Sequence, residues 1–195
     1  MWDEKEMLDY IKKNLKESRF KHSISVSETA IELANIYGQN IEKARIAGLV
    51  HDCAKNLTDK QLIEMAAKNK IELDEVSKES PQIIHGLVGS IIARDVMDIH
   101  DEDILNAMRY HTTGRKDMST LEKIIFISDY IEPLRTFKGK EEVRSLSGVD
   151  LDFAVMMCLE NTIRYVISKK QLLHLDTIYA RNYLLSENSR RKNEK

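Results

Sequence analysis

Six residues of two chemical kinds could act together in this chain: His22, His51, His85, His111, Asp52 and Asp129. Imidazole and carboxylate without thiolate suit iron, manganese, zinc and similar ions, and not calcium. Six such ligands are too many for one closed zinc site. They suit two adjacent metals that keep positions open for water and substrate. The centre of the set is the doublet His51-Asp52. Ile46-Ala47-Gly48-Leu49-Val50 leads in and Cys53-Ala54 leads out, which places the pair at or below the surface of a core. A buried aspartate is costly unless it is paired or binds a metal. Asp52 has two oxygens and could bridge both ions. Neighbours on a helix diverge by ~100°, so both residues reach a metal only if it lies close against the helix edge. A lone inward histidine such as His85 is more often a hydrogen-bonded core residue, and Asp129 alone could cap a helix or pair with an arginine. The joint placement of four of the six histidines on or beside apolar helix faces is what points to metal. His100 and His174 lack that setting and are read as ordinary.

The elements that must position these residues are helical. Only 7 glycines and 2 prolines punctuate the 195 residues, and period-two strand patterns are scarce. A first helix starts at Asp3, with Glu6 completing a capping box, and Met7, Tyr10, Ile11 and Leu15 form its apolar stripe. Ser18 to Tyr37 is a second helix. His22 stands one turn before Val26 on its inward face, and Gly38 suits the stop. Ile41 to Lys55 reads as one helix carrying the doublet, and Thr58 with Gln61 opens a short helix. Lys68 to Pro81 reads as polar connection. Ile83 to Val96 carries His85, and its Gly86 and Gly89 would let another backbone approach, at a cost in helix propensity. Asp101 to His111 ends on a buried-face histidine. A helix through Leu121, Ile124 and Ile127 carries Asp129 and stops near Pro133. Leu134 to Gly148 reads as a basic, flexible loop, followed by helices at about 150–168 and 176–187 and a charged, frayed tail at 189–195. The expected architecture is all-α: one domain over 1–195, with a core at about 18–135, C-terminal helices at about 150–187, and a metal site buried between helices.

Composition bounds the rest. Apolar residues make up 42% and charged residues 32%, within the globular range. A net charge of −2 and a pI near 6.3 give no global field for nucleic acid or anionic membrane. No apolar run reaches the ~18 residues of a membrane span. Two cysteines cannot build a disulfide framework, and no signal peptide opens the chain, so the expected location is cytoplasmic.

The order His22, His51-Asp52, Asp129 resembles the HD-domain metal-dependent phosphohydrolases, and the additional His85 and His111 resemble the two-metal subset of that superfamily. Arg19-x-x-His22-Ser23, His51-Asp52-x-x-Lys55, His85-Gly86-x-x-Gly89, Tyr110-His111-Thr112-Thr113-Gly114, Asp129-Tyr130-Ile131-Glu132-Pro133-x-Arg135 and Thr177-Ile178-Tyr179-Ala180-Arg181-Asn182 together resemble the bacterial YqeK family over residues 3–187. That resemblance implies symmetrical hydrolysis of diadenosine tetraphosphate to two ADP, with iron favoured and manganese or another transition metal admitted. Under this reading His22, His51, Asp52 and Asp129 hold one ion, and Asp52, His85 and His111 hold the other. A hydroxide shared by the two ions attacks an inner phosphorus. Lys55, three residues after Asp52 and on its helix face, neutralises phosphate charge. Thr112, Thr113, Arg115 and Arg135 are candidate phosphate contacts. Arg181 and Asn182 are left without a role, and Cys53 is rejected as a nucleophile. Two alternatives stay open: an HD phosphohydrolase acting on a deoxynucleotide, a guanosine alarmone or a cyclic nucleotide, or a metal-bearing module that senses nucleotide without cleaving it. The expected partner is a nucleotide, with nucleic acid disfavoured and the oligomeric state open, a homodimer included.

Overall fold

The computed structural model describes residues 1–193. Those residues form eleven α-helices and one short 3₁₀ helix, with connections of turn and loop. In chain order the helices are α1 (Glu4–Asn14), α2 (Glu17–Ile36), α3 (Ile41–Val50), α4 (Asp59–Lys68) and α5 (Glu75–Glu79). The 3₁₀ helix Pro81–Ile84 then leads into α6 (His85–Asp95), α7 (Glu102–Tyr110), α8 (Thr120–Ile131), α9 (Lys140–Ser147), α10 (Leu151–Ser168) and α11 (Leu175–Asn193). The chain is all-α, as its sequence implies, with a His/Asp cluster buried between helices. No helix of the described residues is long and apolar enough to cross a membrane.

Helix starts follow the capping chemistry. Asp3 with Glu6, Thr58 with Gln61 and Ser119 with Glu122 form reciprocal boxes, each satisfying two of the amide donors that a helix leaves open at its N-terminus. Gly38, at φ 62°, follows the end of α2 in the left-handed conformation that glycine adopts at least cost. One continuous core runs from Met7 to Leu184. Within it α2 lies along α3, α6 along α7, and α8 touches both α2 and α7, so five segments converge on one spot.

Two close crossings fix that convergence. A Cβ at Gly48 would stand 2.8 Å from Ser27 Cα, and one at Gly86 would stand 2.7 Å from the Met108 carbonyl oxygen. Gly48 therefore lets α3 meet α2, and Gly86 lets α6 meet the end of α7. A Cβ at Gly89 would come to 3.3 Å from the His51 carbonyl oxygen, a tight but milder approach.

Four sequence expectations are corrected. The helix read over Ile41 to Lys55 ends at Val50, and residues 51–56 continue as turns. Their bonds, Cys53 N–H to Val50 O, Lys55 N–H to Asp52 O and Leu57 N–H to Ala54 O, span three residues instead of four. The connection Lys68 to Pro81 contains α5, capped by Asp74. The loop Leu134 to Gly148 contains α9, which buries Val143 and the stem of Lys140, whose Nζ donates to the Arg135 carbonyl at 2.8 Å. Finally α11 continues to Asn193, through most of the segment expected to fray; residues 194–195 of that expectation lie outside the described residues.

Candidate metal centre

His22 comes from α2, His51 and Asp52 from the turn that ends α3, His85 from the first residue of α6, His111 from the residue after α7, and Asp129 from α8. All six sequence-predicted ligands are brought together. The four imidazoles and Asp52 are buried, and Asp129 is partly so. The turns after Val50 present two consecutive side chains, His51 and Asp52, to the same centre.

Three of the imidazoles are fixed by their own turn. Nδ1 of His51 lies 2.7 Å from the Gly48 carbonyl oxygen, Nδ1 of His85 lies 2.6 Å from that of Gln82, and Nδ1 of His111 lies 2.7 Å from that of Met108. A carbonyl only accepts, so in each ring Nδ1 carries the proton and donates it. The fourth ring is held from afar: His22 Nδ1 donates to Glu132 Oε1 at 2.9 Å. Every Nε2 is thereby left with a lone pair in the neutral ring.

Those four nitrogens converge on Asp52 and divide between its oxygens. Oδ1 lies 2.9 Å from His85 Nε2 and 3.6 Å from His111 Nε2. Oδ2 lies 3.7 Å from His51 Nε2 and 3.8 Å from His22 Nε2. Asp129 Oδ1 closes the second side, 3.0 Å from His22 Nε2 and 3.9 Å from His51 Nε2. Two ligand triads emerge with all their donor atoms within 4.8 Å of one another: His22, His51 and Asp129, and His51, Asp52 and His111. His85 belongs with the latter side, its Nε2 only 3.0 Å from that of His111.

Protein partners alone match these nitrogens poorly. His51 Nε2 is buried with no hydrogen-bond partner, His22 Nε2 meets only the Asp129 carboxylate, and the Nε2 atoms of His85 and His111 face each other. Buried polar atoms are almost always satisfied. Protons are poor candidates for two of these positions, because burial pushes His51 down to about 3 and also pushes His85 down. His22 differs. Burial lowers it too, but the carboxylates of Asp129 and Glu132 outweigh that and raise it. Burial likewise opposes ionisation of Asp52 and of Asp129. His51, His111 and His85 around the first, and His22 and Arg135 around the second, hold both carboxyls well below the usual range. The residues fit two divalent ions: two clusters of imidazole and carboxylate that have His51 in common, with Asp52 turning one oxygen to each side.

A cleft of about 170 Å³ opens on the cluster, and Arg19, Lys55, Thr112 and Arg135 reach it. Lys55 Nζ lies 3.3 Å from His85 Nε2, and burial pushes its ammonium group down from the usual lysine value. Thr112 Oγ1 lies 3.2 Å from His111 Nε2. Arg135 donates to Asp129 Oδ1 at 2.6 Å and to the Asp129 carbonyl at 3.1 Å. Two further sequence candidates do not line this cleft. Thr113 donates to the Gly114 carbonyl and its own carbonyl accepts from Thr177. Arg115 turns the other way and pairs with the buried Glu122, donating from Nε and Nη2. Gly114, at φ 65°, redirects the chain between the ligand and that arginine.

Arg19 and Glu132 stand within the motifs that carry the family resemblance, but the sequence reading gives neither a role in the site. Arg19 Nη1 donates to Asp52 Oδ2 at 3.1 Å. The signal for it is its position one turn before His22 on α2; Glu132 is marked only by its place in the Asp129–Arg135 motif, and its spacing says nothing of His22. Cys53 is buried with its thiol pushed up to about 12 by burial and by Asp52, which suits a core residue. Arg181 pairs with Glu160, His100 with Asp98, and His174 with Asp74, all away from the cleft.

Comparison with known proteins agrees with this geometry. The HD domain model matches residues 19–134, which contain all six candidate ligands. The chain is 42% identical over 180 residues to the symmetrical bis(5'-nucleosyl)-tetraphosphatase of Halalkalibacterium halodurans, covering 92% of this chain and 96% of that one. It is 39% identical to the enzyme of the same description in Bacillus subtilis, over 93% of this chain and 97% of that one. The crystal structure of a Clostridium acetobutylicum protein, described as a predicted HD superfamily hydrolase involved in NAD metabolism, superposes with a TM-score of 0.94 at 51% identity, covering 96% of this chain and 99% of that one. With the fold, the paired His/Asp clusters and near full-length similarity in agreement, the chain belongs to the HD-domain metal-dependent phosphohydrolases and, among them, to the symmetrical bis(5'-nucleosyl)-tetraphosphatase family.

Proposed function

We propose that the protein hydrolyses diadenosine tetraphosphate at its central phosphoanhydride, giving two ADP. The observation that carries this reading is the division of Asp52. One oxygen faces His85 and His111 and the other faces His22 and His51, so Asp52 would serve a pair of ions, the donor set of a two-metal phosphohydrolase. His22, His51, Asp52 and Asp129 would hold one ion, and Asp52, His85 and His111 the other. The donor set admits iron or manganese, and ferrous iron is our first choice. The pair would supply a water of lowered pKa and polarise phosphate oxygens.

The chain's own contribution is position and charge. Attack of water on an inner phosphorus expels ADP, so negative charge builds on the leaving phosphate and must be met by fixed donors. Lys55 offers an ammonium group at the floor of the cleft, beside His85. Arg19 and Arg135 stand at its mouth, each paired with a ligand carboxylate. With metal held by Asp52 and Asp129, the guanidinium groups would be available to phosphate, which Arg135 can grip through two N–H groups. Thr112 adds a hydroxyl on the far side of His111.

The test is to load anaerobically purified protein with ferrous iron, add diadenosine tetraphosphate and separate the products by chromatography. ADP alone is expected. ATP with AMP would move the attacked phosphorus outward, and no product from a protein with bound iron would sink the substrate assignment.

A further inference from the structure

The cleft over the metal ligands is too small for a nucleotide. Its volume of about 170 Å³ lies below the ~300–1,000 Å³ typical of pockets that enclose small-molecule ligands. A second, wider groove of about 660 Å³ adjoins it, between α10 and the segment that joins α8 to α9. Asp129, Tyr130, Arg135 and Thr162 line both, so the two spaces share a wall at the metal centre. Resting on the function proposed above, we infer that this groove receives the purine nucleoside of one half of the substrate, the polyphosphate passing from it to the metals along Arg135.

Three features of the groove favour that occupant. Its walls are aromatic: Tyr130 and Phe137 pack edge to face with ring centroids 4.7 Å apart, and Tyr165 stands opposite on α10. Tyr165 is 59% exposed and Phe137 39% exposed, although both are large rings that gain by being covered. Its charge is positive, from Lys138 and from Arg135 and Arg164, the last paired with Glu160 on its own helix. Among the described residues that line it the one acid is Asp129, already paired with Arg135. Finally it holds polar groups of the kind that fix a base or ribose, the amide of Asn161 and the hydroxyl of Thr162. Flat aromatic walls, cations and a few amides or hydroxyls are the combination that binds nucleobases, which stack on rings while their phosphates meet positive charge.

The arrangement also gives a purpose to the turn that begins α9. Gly139, at φ 93°, caps that helix, and a Cβ there would stand 3.5 Å from Asn161 Nδ2. Lys140, buried beneath, donates to the Arg135 and Pro133 carbonyls. The segment carrying Phe137 and Lys138 is thus tied to the same backbone that carries Arg135, which keeps the ring wall and the phosphate contact in register.

The experiment measures binding of ADP and of inorganic pyrophosphate to the metal-loaded protein and to Tyr165→Ala, Tyr165→Phe and Phe137→Ala, by titration calorimetry. Both rings are exposed, so their removal leaves the core intact. The native protein should bind ADP more tightly than pyrophosphate. Each alanine variant should weaken ADP about tenfold and leave pyrophosphate unchanged, the loss expected for one stacked base. Tyr165→Phe, which keeps the ring, should retain native ADP affinity. Equal affinity of the native protein for the two ligands, or alanine variants that leave ADP unchanged or weaken both ligands alike, would overturn the inference; a groove that serves another protein chain gives such a result. The two proposals fail separately. Ring-dependent ADP binding without tetraphosphate cleavage overturns the function and keeps the groove. Cleavage to ADP by variants with undiminished ADP affinity does the reverse.

Discussion

The two sides of the metal centre are built by different means. On one, His85 and His111 face Asp52 Oδ1, and each ring is held by a carbonyl three residues earlier in its own turn. On the other, His22 faces Asp52 Oδ2 and Asp129, and its ring is held by Glu132, 110 residues away. His51 stands between them and uses the local device. A ring fixed by its own turn stays oriented wherever that turn forms, so the first side depends chiefly on helices meeting correctly. A ring fixed by a distant carboxylate depends on one side chain, and that carboxylate also raises its basicity as a ligand.

The largest expected effect falls where the two sides meet. Asp52→Ala removes the shared ligand, so it should strip both ions and cost on the order of 10³-fold or more in turnover. Metal analysis beside the product assay checks this; near-native activity in that variant would break the two-ion scheme itself. Glu132→Ala comes next. It frees the His22 ring without touching the other side, so one ion should be held roughly 10–100-fold more weakly and the other retained. Loss of both ions in equal measure would show that the sides are not separable.

The same contrast explains what could be read from the chain alone. His22, His85 and His111 were legible because each falls in step with an apolar helix face, and the doublet because an aspartate amid Ile46-Ala47-Gly48-Leu49-Val50 and Cys53-Ala54 demands a partner. Local pattern carries local anchors. It does not carry Glu132, whose partner is far away in the chain, nor the direction of Arg115, which sits four residues after a ligand yet reaches for Glu122. The end of α3 escapes the sequence pattern for a related reason, since apolar residues look alike in α-helical turns and in the tighter three-residue turns that follow Val50. The short helices α5 and α9 are rich in charge and start after Asp74 and Gly139, so their sequences resemble connections. Val143, the buried residue that secures α9, is a single apolar signal among Lys140, Glu141, Glu142 and Arg144.

If the first side depends on helix contact, it should fail when the contact is spread. Gly86→Ala places a methyl group 2.7 Å from the Met108 carbonyl oxygen, 2.9 Å from that of Arg109 and 3.0 Å from His111 Nδ1. Overpacking of this kind costs about 1–3 kcal/mol, against roughly 1 kcal/mol gained in helix propensity. A net loss on the order of 1–2 kcal/mol should lower the melting temperature by about 2–8 °C. The ion on the His85–His111 side should weaken while that beside His22 is kept, the reverse of Glu132→Ala. An unchanged melting temperature would mean that α6 and α7 can separate freely, and the local device would then need another account.

The smallest effect is a matter of sign. A ring whose folded pKa is lowered binds its proton in the unfolded chain first, so the stability it gives is present above its ordinary value of 6.5 and lost as pH falls toward the folded value. His51, lowered to about 3 by burial, behaves so, and His85 acts in the same direction. His22 is raised, so its contribution is complete below 6.5 and lost as pH rises above it. Metal-stripped protein should therefore melt at lower temperature at pH 5.5 than at pH 6.5, His51 alone removing roughly 1 kcal/mol over that interval. Glu132→Gln takes away a carboxylate that raises His22 and should steepen the decline. A melting temperature that rises on acidification would mean that the locally anchored rings carry protons in the folded chain. Their Nε2 atoms would then donate to Asp52, and the case for cations between them would have to rest on His22 and Asp129 alone.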